Sequence, residues 1–504
     1  MQLLDNVQAL AIARSGAHII WIAGMAGTGK TSIALTLCRR LVKVSDVLLG
    51  GTFFCSRSAG SIERTDARRI IPTLVLLLAR QVPTFAHAVA AELKSDPDLS
   101  SKAVDVQVKF LLVNPLQSVA VLDRQIVFFI DALDECNDQK QLAELINLLA
   151  DFKTTQPVKF VFTSRPEMHI RDTSITDISL TSIVQLHMVD EKLVTGDIRL
   201  YIQRTLEKSS NSLASWYNDG DLDDIAVLSA GLFIFASTAL TYILGRKDSP
   251  GRSERLRIVK QQSSTSTLAT APLDRMYSLV LMQASNPDAY EPTELEETRR
   301  IVAVILSTRA PLTIKALAEL LKLSPEHLRG ALDELHAVVF VPEQDEVGEL
   351  RTLHASFGDF IFTRAPENMR MEKNLVHSEI AHACLQRLAA DDLCFNISRS
   401  LSSYQPNPNS KPDWIGQSLI YACLHWAHHV ALASESSSFD EIIYSVLRRK
   451  LLFWLETLSV MDEVGRASGL LRIAASGVSP HHRLNFESYN VSTGITLGCI
   501  AISP

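Results

Sequence analysis

The residues whose types and spacing can do chemistry begin at Gly24. The run Gly24-Met25-Ala26-Gly27-Thr28-Gly29-Lys30-Thr31 fits the pattern GxxxxGK[ST], and Ser32 follows it. Glycines let a backbone wrap close to phosphate so that its N–H groups point inward. A helix starting there adds the positive end of its dipole. Lys30 is placed to reach the β- and γ-phosphates of ATP or GTP, and the Thr31 hydroxyl to ligate Mg²⁺. The plainer reading, a glycine turn that holds nothing, is disfavoured by context. The apolar run His18–Ala23 leads in, and an amphipathic segment, Thr31–Val44, leads out.

A second group follows the apolar run Ile126–Ile130, which ends on Asp131-Ala132-Leu133-Asp134-Glu135. A buried strand that delivers an acid at its end suits an Mg²⁺ site, with Asp131 holding the ion mostly through water. Asp134 and Glu135 are the candidate catalytic acids, placed to orient or deprotonate an attacking water. The competing reading is a solvated acidic turn. A third group is Lys159–Thr163 followed by Ser164-Arg165-Pro166-Glu167, where Thr163 or Arg165 could sense a γ-phosphate. Spacing alone leaves that reading even with a polar loop carrying an exposed Arg. His425, His428 and His429 have i, i+3, i+4 spacing that could bind a metal, but no fourth ligand is visible and the flanks read as packed helix. His354 is ambiguous on these grounds.

The elements that must position these residues read as an α/β unit. Residues 1–18 suggest a short helix and turn. Strands are expected at His18–Ala23, Leu48–Phe54, Gln125–Ile130 and Lys159–Thr163, and helices at Thr31–Val44, 70–94 and Leu142–Leu149. That alternation predicts a parallel sheet between helices over 19–190. A helical lid is expected over 191–290, with helices at Val194–Leu206, Leu222–Leu244 and Leu273–Ala284 and a loop at Lys247–Ala271. Over 291–365, helices Glu296–Leu306, Ile314–Leu321 and Pro325–Leu335 precede two short strands, Ala337–Pro342 and Leu350–Leu353, which suggests a winged helix. Residues 366–465 read as further helix (373–392 and 417–460) with a loop at Ser400–Trp414, and 466–504 has no clear pattern.

A chain of 504 residues holds several domains. The net charge of -7 gives no electrostatic reason to expect nucleic acid. Seven scattered cysteines, none in CxxC pairs, fit a reducing compartment. No basic region precedes an apolar stretch near the start, and no apolar run approaches the ~20 residues of a membrane span, so a cytoplasmic protein is expected.

The ordered blocks WIAGMAGTGKTSIA, GTFFCSR, PTLVLLLARQVP, FFIDALDEC, KFVFTSRPE, GLFIFASTAL and PLDRMY resemble the NACHT domain of fungal NOD-like receptors, in the STAND class of P-loop ATPases. The resemblance covers roughly 15–285 and continues more weakly to about 460. It implies a P-loop domain, a helical domain and a winged helix closed over ATP or ADP with Mg²⁺. Gly24 to Thr31 carries over as Walker A, Asp131 as the Walker B acid with Asp134 and Glu135 after it, and Arg165 as a sensor. A winged-helix histidine in such relatives touches the β-phosphate of ADP, and His354 is the candidate here. Where many members carry a glycine-x-proline element against adenine, this chain has Gly231-Leu232-Phe233, which leaves base preference open. Members usually also carry an N-terminal effector domain and C-terminal repeats; this chain begins close to the P-loop, so a fragment is one expectation.

The implied function is a nucleotide-dependent switch in fungal innate immunity or incompatibility. It would hydrolyse slowly, self-associate when ATP-bound and act on an effector protein whose identity the sequence leaves open. The rivals are a scaffold with a vestigial P-loop and a P-loop kinase or metabolic ATPase. DNA binding through the winged helix is disfavoured, because PEHLRGALDEL carries one Arg against three acids.

Overall fold

The computed structural model describes residues 2–56, 64–177, 180–209, 216–245, 251–261, 271–284, 291–367, 369–400, 413–434 and 437–477. The chain divides into two compact units, Met1–Met276 and Tyr277–Pro504.

In the first unit β1 (Ile19–Ala23), β2 (Val47–Phe54), β3 (Gln125–Asp131), β4 (Val158–Ser164) and β5 (Thr181–Gln185) form a parallel sheet in the order β2-β3-β4-β1-β5. β1, β3 and β4 are buried along their whole length, as strands of a sheet covered on both faces must be. Successive side chains leave a strand on opposite faces. Ile19, Trp21, Phe128, Phe160 and Phe162 pack on one side with helices Ile70–Ala79, Pro83–Ser95 and Gln139–Ala150. Ile20, Ile22, Val127, Phe129 and Val161 pack on the other with Gln2–Ile12 and Lys30–Leu41.

Several sequence expectations need correction. The helix expected over 70–94 is two, because Pro83 cannot sit inside a helix and instead opens the second one. β5 has no counterpart among the expected strands. It is an edge strand paired only with β1, and its segment Thr-Ser-Ile-Val-Gln is correspondingly short of apolar residues. The helix expected over Leu222–Leu244 breaks at Ala230 and Gly231, both with positive φ (45° and 78°), into Asp219–Leu228 and Phe233–Leu244. The expected loop at Lys247–Ala271 contains helix Arg252–Lys260, and its remaining residues fall mostly outside the described ones.

The second unit holds helices Pro292–Ser307, Ile314–Leu321 and Pro325–Leu332, then β6 (Val339–Phe340) paired antiparallel with β7 (Arg351–Thr352). This is the three-helix-and-ribbon sequence that the pattern predicts. Lys373–Ala389, Gln417–Leu432, Ser437–Val460 and Ala467–Gly477 follow. The last of these lies in a stretch for which the sequence suggested no element; 478–504 and most of the expected Ser400–Trp414 loop lie outside the described residues. No described helix is long and apolar enough to cross a membrane. The described cysteines are free thiols.

Candidate functional site

The phosphate-loop residues leave the carboxyl end of β1 and feed directly into helix Lys30–Leu41. Gly27 and Gly29 have φ of 79° and 88°, which side-chain-bearing residues rarely adopt. Gly29 is the helix N-cap and carries no side chain, so no cap bond occupies the first-turn N–H groups. A Cβ on Gly24 would lie 2.8 Å from Leu186 Cδ1, and one on Gly27 would lie 2.0 Å from Ile234 Cγ2. The loop is therefore crowded at two points by side chains from distant parts of the chain.

Lys30 turns back over the loop, its ammonium donating to the carbonyls of Gly24 (2.7 Å) and Met25 (2.9 Å). Burial lowers its pKa below the ordinary lysine value. Asp134, Asp131 and Glu135 pull it up again, and Arg165 pushes it further down. An anion seated in the loop would add to the upward pull.

Asp131 ends β3 and is only 2% exposed. The Thr31 hydroxyl donates to one of its carboxylate oxygens at 2.7 Å, and the Thr163 hydroxyl, from β4, donates to the other at 2.5 Å. Thr163 Oγ1 in turn accepts the Ala132 N–H at 2.9 Å. Burial raises the Asp131 pKa; the Thr163 and Thr31 hydroxyls and Lys30 lower it, and Asp134 raises it. Beyond Asp131 the chain bends sharply at Ala132, a non-glycine residue at φ 56° and ψ 49°, into the turn Leu133–Glu135.

That turn buries Asp134, which is 3% exposed. Its carboxylate accepts the Arg165 main-chain N–H (2.9 Å) and pairs with Arg165 Nε (3.1 Å). The two residues thus clamp the ends of β3 and β4 together. Glu135 beside them is partly exposed. Thr31, Asp131 and Thr163 form one cluster and Asp134 with Arg165 a second, with Lys30 in the field of both acids. Met25, Ala26, Thr28 and Ser32 complete the loop and the first helical turn, with Thr28 Oγ1 donating to Met25 O at 2.9 Å. One hydroxyl and one carboxylate are a hard oxygen donor set that fits Mg²⁺, which takes few protein ligands and keeps water. Among the described residues no three His, Cys, Asp or Glu side chains gather as a metal cage.

His354 lies in the second unit, where it caps helix Ala355–Asp359. Its Nδ1 accepts the Ser356 N–H at 3.1 Å and lies 2.6 Å from the Ser356 hydroxyl oxygen. His425, His428 and His429 lie on Gln417–Leu432. His429 is fully buried, between Tyr421 (oxygen to Nε2, 2.8 Å) and His377 (Nδ1 to Nδ1, 3.0 Å), which is a packed hydrogen-bond network. Sequence reasoning gave no role to Leu186 or Ile234. Each touches the loop from a distant part of the chain, and no local signal marks it.

Residues 2–165 match the family model described as nephrocystin 3, N-terminal. The chain is 24% identical over 490 residues to the vegetative incompatibility protein HET-E-1 of Podospora anserina, covering 90% of this chain and 34% of that protein. Among solved structures, a Signal Transduction ATPase with Numerous Domains (STAND) protein with a tetratricopeptide repeat sensor from Pyrococcus horikoshii aligns with a TM-score of 0.40 and 12% identity. That alignment covers 98% of this chain and 61% of the other. Cdc6p from Pyrobaculum aerophilum aligns with a TM-score of 0.34 and 13% identity, over 76% and 93%. The loop Gly24–Thr31 and the acid at the end of β3 both lie within the residues that the family model matches, and the chain is similar over most of its length to a fungal vegetative incompatibility protein, of which it spans about a third.

Proposed function

We propose that this chain is the nucleotide-dependent core of a signalling switch that binds ATP and ADP with Mg²⁺, hydrolyses ATP slowly and self-associates when ATP-bound. The observation that carries the reading is the cluster of buried Asp131 and Thr163 with the exposed Thr31, beside Lys30. A buried carboxylate held by two hydroxyls and facing an ammonium suits a cation and a polyphosphate together. Mg²⁺ bound there would neutralise charge on the phosphate oxygens. In this reading Lys30 and the loop amides hold the phosphates, Thr31 and Asp131 hold the ion, and Glu135 orients water. Asp134 holds Arg165 at the end of β4. By likeness to the vegetative incompatibility protein, the signal would belong to fungal innate immunity or incompatibility, and an effector protein would receive it. Only a difference in affinity of the two nucleotides for two states of the protein can drive such a switch.

The test is to release and identify the nucleotide that co-purifies with the protein. ADP or ATP is expected in the unmodified chain and none in Lys30→Ala. Particle size should grow in Mg-ATP and not in Mg-ADP, and turnover should fall well below the roughly 1–100 per second of kinases. A chain that neither retains nor binds nucleotide would falsify the proposal.

A further inference from the structure

Three contacts meet at the start of helix Phe233–Leu244. The helix has no side-chain cap. Instead, the Ile234 main-chain N–H donates to the Gly27 carbonyl at 3.2 Å. The Ile234 side chain also fills the room that a Cβ on Gly27 would need, with its Cγ2 2.0 Å and its Cβ 2.9 Å from that point. Beside it, Phe233 Cδ2 comes within 3.7 Å of the equivalent point on Gly29. The Phe233 ring lies edge-on to Tyr201 of helix Glu191–Ser209, with centroids 6.2 Å apart.

The consequence falls on the phosphate loop. In a trans peptide the carbonyl and the following N–H point opposite ways. Holding the Gly27 carbonyl toward Ile234 therefore aims the Thr28 N–H away from that helix, where it meets the Met25 carbonyl at 3.5 Å. A bond that long yields readily to a phosphate oxygen. The loop is glycine-rich and would otherwise lose much backbone freedom on gripping an anion.

We propose that Ile234 is a positioning residue for the phosphate loop and the point at which nucleotide occupancy is coupled to helix Phe233–Leu244. The proposal rests on the nucleotide-switch reading above. Whatever the helix does for the loop, phosphate in the loop does for the helix, because coupling between sites is reciprocal.

The experiment measures Mg-ADP affinity and thermal unfolding of the full chain carrying Ile234→Ala, Ile234→Val or Ile243→Ala. Ile243 is buried in the same helix, nine positions further on, and serves as the structural control. Ile234→Ala should weaken Mg-ADP binding about tenfold. Ile234→Val, which keeps the methyl facing Gly27, should stay within about twofold of the unmodified chain. Ile243→Ala should lower the unfolding temperature yet leave the affinity within that same range. The inference is overturned if Ile234→Ala binds Mg-ADP as the unmodified chain does, or if Ile243→Ala weakens binding equally. Failure of the unmodified chain to bind Mg-ADP is a separate result, which removes the switch itself.

Discussion

Thr31 and Asp131, separated by 100 positions, share a hydrogen bond of 2.7 Å although the strands that lead to them are not neighbours. β4 runs between β1 and β3, and its Thr163 binds the other oxygen of the same carboxylate. Hydrogen bonds to the charged form oppose the burial that would neutralise the acid. The acid therefore depends on two hydroxyls from two different elements, and this dependence can be tested.

Asp131→Asn keeps the shape and removes the charge. The folded-state pKa of Asp131 is raised, chiefly by burial. A raised pKa contributes stability that is present below the unfolded value, about 3.9, and is lost as pH rises through the folded value. In urea titrations without Mg²⁺, the unmodified chain should lose ground to Asp131→Asn as pH rises through that window. At neutral pH the variant should bind Mg-ATP at least about tenfold more weakly. Parallel stability curves across the window would refute the sign.

Thr163→Val removes the hydroxyl that links Asp131 to the Ala132 N–H and leaves that buried amide unpaired. A loss of about 1–3 kcal/mol is expected in denaturant titration. The Asp131 pKa should rise further, so the Mg²⁺ dependence of nucleotide binding should weaken at mildly acidic pH before it does so in the unmodified chain. A stability unchanged to within experimental scatter counts against the link.

Gly27→Ala and Gly29→Ala separate backbone strain from crowding. Both positions have φ near the left-handed region, but only Gly27 has a neighbour inside the space of a Cβ, 2.0 Å against 3.7 Å. Gly29→Ala should cost about 1–2 kcal/mol from conformation alone. Gly27→Ala should exceed it by about 1–3 kcal/mol of overpacking. Equal losses in unfolding free energy would show that Ile234 moves aside freely.

The second unit should be acid-sensitive through its buried histidines. The His377 pKa is lowered to about 4, first by burial and then by Lys373 and Arg309, and burial also holds His429 and His425 well below the ordinary value. A base with a depressed folded pKa gives stability that is present above the unfolded value, about 6.5, and lost as pH falls toward the folded one. Urea midpoints measured across that interval should fall with pH, and His377→Gln should flatten the fall. An identical slope in the variant would point to other groups.

Much of the site was legible in the amino-acid order. Gly24–Thr31, the acid after Ile126–Ile130 and the polar turn after Lys159–Thr163 each follow an apolar run long enough for one buried strand. A short continuous apolar run bounded by glycines or acids is a local signal, and the strands fall where those runs do. Three elements were less legible. β5 is an edge strand with little apolar character, the break at Ala230–Gly231 interrupts an otherwise helical pattern, and Ala467–Gly477 lies in a weakly patterned stretch.

By itself the sequence determined which residues carry charge and hydroxyls, which segments are buried strands, and that a glycine loop joins one of them to a helix. Those properties depend on neighbours within a few positions. Only the tertiary structure decided that β4 lies between β1 and β3, that Asp134 pairs with Arg165, and that Leu186 and Ile234 come against Gly24 and Gly27 of the loop. Sheet order and cross-chain packing come from how whole faces bury each other, and no local periodicity encodes which distant side chain fills the space above a glycine.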